Sequence, residues 1–89
     1  MSLNEEQVQL LANLGANIRR KRVEIKMTQE HLAELAGINP RTIQKIEAGK
    51  LNILVTTLAR IQSSLKCSWD DLMTESKVTH RSKGKKSAA

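Results

Sequence analysis

The scarcity of helix-breaking residues constrains this chain more than any other feature. Across 89 residues proline occurs once, at Pro40, and glycine four times, at Gly15, Gly37, Gly49 and Gly84. These two residue types stop helices and make tight turns, so a chain with so few of them reads as helices joined by short connections. Trp69 is the sole aromatic residue, which leaves an aliphatic core and disfavours an aromatic-rich sheet. The length allows one domain and makes a multi-step enzyme a poor starting assumption. Residues 1–76 are the expected domain, and the basic stretch 77–89, where apolar residues give out, is expected to be a disordered tail.

Five helices follow from periodicity and capping. Ser2 with Glu5, overlapping Asn4 with Gln7, offers capping-box starts for a helix over about 4–26. Within it Val8, Leu11, Leu14, Gly15, Ile18, Arg22 and Ile25 fall in one sector at about 100° per residue. Arg22 is the anomaly in that stripe. Thr28 then caps a second helix over about 29–36, with Met27 and Leu32 at the spacing of a hydrophobic staple, and Gly37 ends it. Asn39 as N-cap and Pro40 in the first turn open a third helix that runs to about Ala48, with Ile38 facing Ile43. Leu54, Leu58, Ile61 and Leu65 mark a fourth helix over about 53–66. Ser68 with Asp71 caps a short fifth, ending near Thr74, with Cys67 and Leu72 as its staple.

Net charge is +6, but its placement says more than the total. The tail holds Lys77, Arg81, Lys83, Lys85 and Lys86 without an acid, so the body carries only +1. Inside the body, residues 18–50 hold eight Lys/Arg against four Glu, a local +4. Such a basic centre between slightly acidic flanks suits a nucleic-acid partner. Cys67 alone supports neither an intramolecular disulfide nor a multi-cysteine zinc site. With no secretory pattern at the N-terminus and no run of about 18–20 apolar residues, the expectation is a cytoplasmic protein that does not span a membrane.

Residues 29–46 carry the functional signal. Two short helices joined by three residues around Gly37, with small Ala33 at the expected crossing and Leu32, Ile38, Ile43 and Ile46 filling the angle, form a helix-turn-helix pattern. An ordinary helical hairpin uses the same residue types. The exposed face of the third helix favours the first reading: Arg41, Lys45 and small Ala48 centre it, Gln44 and Thr42 flank it, and no acid points outward. Arginine, lysine and glutamine are the side chains that read guanine and adenine edges in the major groove, so Arg41, Gln44 and Lys45 are the candidate base-reading residues. A merely solvated surface would also accept them. The two charges that periodicity turns inward, Arg22 and Glu47, are expected to pair, since an unpaired buried charge costs several kcal/mol. The competing expectation is that Arg22 snorkels outward and Glu47 sits at a solvated helix end.

Residues 14–73 resemble the phage repressor and Cro-like, or XRE, family of bacterial transcription regulators. The resemblance rests on Leu14, Gly15, Ile18, Arg19 and Arg22, on Thr28, Gln29, Leu32, Ala33, Ala36, Gly37 and Ile38, on Ile43, Ile46, Glu47 and Gly49, and on Thr57, Leu58, Ile61 and Leu65. It implies a compact five-helix repressor-like fold whose third helix enters the major groove of double-stranded DNA, and no cofactor. It also implies a phosphate contact for Gln29 and the Arg22–Glu47 contact. Asn39, Thr42, Lys50 and Arg19 are expected to support phosphate binding around it. Two departures stand out: Leu51-Asn52-Ile53-Leu54 replaces a loop that often carries proline, and helix 1 starts about ten residues early, adding Leu3, Val8 and Leu10.

The leading functional expectation is a sequence-specific regulator, a repressor acting as a homodimer on a palindrome, because one short helix reads too few base pairs alone. The second copy is expected against Leu51, Ile53, Leu54 and helix 5, or else against the early turns of helix 1. The alternative is an antitoxin-type module that binds a toxin partner as well as DNA. Catalysis is the weakest reading. His31 and His80 lack neighbours at metal-ligand spacing, and Cys67 reads as a small buried apolar residue. The tail is either a solvated end, a non-specific phosphate arm or a tag remnant.

Overall fold

The computed structural model describes residues 2–75, so the tail 77–89 and the last residue of the expected domain lie outside it. Among the described residues there are five helices and no strand: α1 (Glu5–Glu24), α2 (Gln29–Ala36), α3 (Pro40–Glu47), α4 (Val55–Leu65) and α5 (Trp69–Met73). α1 packs on α3 and α5, and α2 packs on α3 and α4. The core between them is aliphatic: Leu14 and Ile18 of α1, Leu32, Ala33 and Ala36 of α2, Ile43 and Ile46 of α3, Leu58, Ile61 and Leu65 of α4, and Leu72 of α5.

The helix starts follow from side-chain capping. Asn4 and Gln7 form a reciprocal capping box at α1, Thr28 accepts from the His31 amide at α2, Asn39 accepts from the Arg41 amide at α3, and Ser68 with Asp71 forms a second box at α5. α4 departs from this pattern, because its N-cap is Leu54 and makes no side-chain cap bond. α2 ends where Gly37 takes a left-handed conformation at φ +68°, and the Ile38 amide donates back to the Ala33 carbonyl at 2.8 Å. That closure turns the chain into α3 within three residues.

Three residues that periodicity places in the core lie outside it. α1 stops at Glu24 and Lys26 turns left-handed at φ +58°, so Ile25 swings out and is 49% exposed. Leu54, read as the first residue of the α4 stripe, sits ahead of the helix and is 70% exposed. Val8 is likewise exposed, because the packed core ends below it.

Glycine and asparagine on α1 set how closely its neighbours approach. At Gly15 an added Cβ would land among the backbone carbonyls of Ile46 and Glu47, so α3 lies directly on the α1 backbone there. Asn17, fully buried, donates to the carbonyls of Leu72 at 2.8 Å and Thr74 at 2.6 Å, and its own carbonyl accepts from Arg20. It thereby satisfies the Leu72 and Thr74 carbonyls at the C-terminal end of α5, where the last carbonyls of a helix lack intrahelical partners.

Candidate nucleic-acid interface

α3 is amphipathic in the strict sense. Ile43 and Ile46 are buried, while Arg41, Gln44, Lys45 and Ala48 are exposed and Thr42 is half-buried between the two faces. Its sole acid, Glu47, is turned inward. Arg22 of α1 grips that carboxylate with both arms of its guanidinium, Nε to Oε2 at 2.7 Å and an Nη to Oε1 at 3.0 Å. The other Nη donates to the Met27 carbonyl at 2.8 Å. With the two side chains only 11% and 4% exposed, the pair is shielded from water on both sides. The hydrogen bond from Arg22 to Glu47 raises the arginine pKa above its ordinary value, partly opposed by burial, so the guanidinium keeps its charge.

Gln29, the first residue of α2, adds a third strand to this knot. Its Nε2 donates to Glu47 Oε1 at 3.0 Å. One carboxylate therefore receives α1 through Arg22 and α2 through Gln29, while Arg22 also holds the connection between those helices at Met27. A planar guanidinium with a fixed donor fork fixes orientation as well as distance, which a lysine would not. The consequence is electrostatic too: the acid that would repel a polyanion is neutralised internally, and the outward face of α3 presents only Arg41, Lys45 and neutral groups.

The remaining site residues are placed as follows. Asn39, exposed ahead of α3, accepts the Arg41 amide on its Oδ1 at 2.8 Å. Lys50 is exposed just beyond α3, its amide tied to the Lys45 carbonyl. Arg19 lies on α1 beside a groove of about 450 Å³ lined also by Ala16, Val23 and Glu47, next to the C-terminal end of α3. The structure thus gathers Arg41, Gln44 and Lys45 on one face, with Gln29 at the α2 N-terminus. Arg19 stands at the other end of α3.

Sequence periodicity does not single out Asn17, which lies outside the apolar sector of α1 and is buried only because α5 packs against that side of the helix. Chemistry of other kinds finds little support. Among the described residues no group of three His, Cys, Asp or Glu side chains is arranged to hold a metal ion. His31 is exposed on α2, and burial, followed by Asp71, pushes the Cys67 thiol above its usual pKa, which suppresses the reactive thiolate. No helix among these residues is long and apolar enough to cross a membrane.

The chain is similar in sequence and fold to known helix-turn-helix proteins. A helix-turn-helix family model, HTH_3, matches residues 18–72. An uncharacterized HTH-type transcriptional regulator of Sinorhizobium fredii, y4mF, is 36% identical over 61 residues, covering 68% of this chain and 80% of the relative. The hypothetical transcription factor NHTF from Neisseria has a TM-score of 0.73 at 26% identity, over 88% of each chain. The clp gene regulator ClgR from C. glutamicum has a TM-score of 0.70 at 28% identity, over 72% of this chain and 82% of its own. Family and relatives are regulators and not enzymes. The acid-free face of α3, the closed turn at Gly37 and the match across 18–72 lead to one conclusion: this chain belongs to the XRE-type helix-turn-helix family of DNA-binding transcriptional regulators.

Proposed function

We propose that the protein is a sequence-specific repressor that binds a palindromic operator as a homodimer and lays α3 in the major groove. The observation that carries this reading is the outward face of α3, which holds Arg41, Gln44 and Lys45 without an acid because Glu47 is bound internally by Arg22. Arg41 and Lys45 suit the O6 and N7 acceptors of guanine, and Gln44 suits the paired donor and acceptor of adenine. Phosphate contacts fall to Gln29, Asn39, Thr42, Lys50 and Arg19. Gln29 spends one amide N–H on Glu47, and the second is left for a phosphate oxygen at the N-terminal end of α2. The same side chain then joins the duplex to the Arg22–Glu47 bridge.

An eight-residue reading helix spans a few base pairs, so a pair of copies with α3 helices about 34–36 Å apart is what gives a site useful specificity. Selection of bound sequences from a random duplex pool tests this directly. Enrichment of an inverted repeat with half-site centres about 10 base pairs apart is expected. Arg41→Ala or Lys45→Ala should relax base preference at one position of each half-site, at a cost of about 1–3 kcal/mol for each good base contact. Recovery of no preferred sequence, or of a motif that Arg41→Ala and Lys45→Ala leave unchanged, overturns the reading.

A further inference from the structure

The two most exposed large apolar residues, Leu54 at 70% and Val55 at 76%, stand side by side where α4 begins. Leu54 occupies an N-cap position that the other four helices give to Asn, Thr or Ser, so the chain forgoes a capping oxygen in order to present a leucine to solvent. A local rule broken without compensation inside the fold marks a surface with another task. Two residues earlier, Asn52 closes a groove of about 240 Å³ with Leu3, Gln7, Leu10 and Leu11 of the α1 overhang. Leu10 and Leu11 continue the stripe that Leu14 and Ile18 bury lower down, but the core ends before it reaches them. The groove thus joins the overhang to the loop that leads on to Leu54 and Val55.

Its charge distribution selects the occupant. In a chain with 27% charged residues, positions 7–18 and 51–59 carry none. Without cations this surface offers a duplex no counterion release, and its exposed side chains are apolar. A two-fold pair apposes the same patch on both copies, which like charges would oppose and an uncharged apolar patch favours. The loop also leaves the C-terminal end of α3 through Gly49 and Lys50, so pairing through it couples the dimer contact to the placement of α3.

We infer that Leu54 and Val55, with Leu3 and Leu10 of the α1 overhang, are the surface on which a second copy of this chain docks. The inference rests on the dimeric reading above and says which face makes the dimer. Sedimentation of the full chain at tens of micromolar, alone and with duplex DNA, tests it. Wild type is expected to be dimeric, Leu54→Glu and Val55→Glu to raise the dissociation constant at least tenfold, and Leu10→Glu to raise it less. Met73→Glu, on the exposed side of α5, should leave it unchanged. Far-UV circular dichroism checks that each variant is folded, and Leu54→Ser replaces any glutamate variant that is not. In a Cys67→Ser background, Leu54→Cys should oxidise to a disulfide-linked dimer. A wild-type dimer that survives Leu54→Glu and Val55→Glu places the interface elsewhere and overturns this inference while leaving the dimeric reading intact. A wild type that is monomeric both free and on DNA overturns both.

Discussion

Between Leu14 and Arg22, α1 buries Leu14, Gly15, Asn17, Ile18 and Arg22 against its neighbours, whereas every residue from Glu5 to Leu10 is exposed. One helix thus has two halves with different origins. The packed half is specified by what it touches: a carbonyl ridge of α3, the end of α5, a carboxylate at the turn. The overhanging half has only local support, from the Asn4–Gln7 capping box and from Glu5 and Glu6 beside the positive end of the helix dipole. Isolated helices of this length are marginal in water, so the overhang persists because the packed half has already nucleated it. The difference predicts that substitutions in the lower half act on the whole fold and on DNA binding, while those in the upper half act locally.

The largest effect is expected at Arg22. Arg22→Met leaves Glu47 buried with only Gln29 as a partner and should cost about 3–5 kcal/mol in denaturant unfolding. Adding Glu47→Leu should recover much of that loss, because the penalty lies in the orphaned charge and not in the missing attraction. Strictly additive costs, each under about 1 kcal/mol, would show that the bridge contributes nothing. Next comes Gly15→Ala. The new methyl group meets backbone carbonyls that cannot rotate away, so α3 must shift on α1 at a cost of about 1–3 kcal/mol. If α3 is the reading helix, as proposed, operator affinity should fall with stability, and unchanged affinity would mean that the α1–α3 contact does not set the pose of α3.

Asn17→Ala should follow, at about 1–3 kcal/mol, by leaving the Leu72 and Thr74 carbonyls unpaired. Its effect belongs to α5, on the other side of α1 from the reading helix, so affinity per folded molecule should be preserved. Measuring unfolding and operator binding on the same variants separates it from Gly15→Ala. The comparison fails if Asn17→Ala weakens binding as much as Gly15→Ala does.

The sequence shows one half of this organisation better than the other. Helix starts at Asn4, Thr28, Asn39 and Ser68 are legible because a capping side chain is a local event with a local residue signature. The turn at Gly37 is legible for the same reason. The pairing of Arg22 with Glu47 could be inferred from two charges facing inward on separate helices. Ile25 and Leu54 are not legible, because a stripe has no mark for where it stops counting: each keeps the period, but the helix has ended or not yet begun. Asn17 passed unnoticed because its partners, two backbone carbonyls more than fifty residues away, carry no side-chain identity for a sequence to display. The further contact of Gln29 with Glu47 is invisible for a related reason, since a glutamine at the first turn of a helix is equally at home in solvent.

The smallest effect sharpens the contrast between the two capping boxes. That of α1 closes with neutral Gln7, and that of α5 closes with Asp71, whose carboxylate accepts the Ser68 amide at 3.1 Å. This hydrogen bond, then the Ser68 hydroxyl side, and to a lesser degree Lys21 at 3.6 Å, hold the Asp71 pKa below its ordinary value. A carboxylate with a lowered folded-state pKa contributes stability at pH values above the ordinary aspartate value of about 3.9, and the contribution disappears as pH falls through the folded-state pKa. Acidification below about pH 4 should therefore loosen α5, read as faster amide exchange at Trp69–Met73, while the start of α1 at Glu5–Val8 keeps its Asn4–Gln7 box. Asp71→Asn supplies the control: with no charge to lose, α5 should already be looser at neutral pH and should show a flatter response to acid. Equal acid sensitivity of α5 in wild type and in Asp71→Asn would assign the effect to some other carboxylate and remove the capping box as its cause.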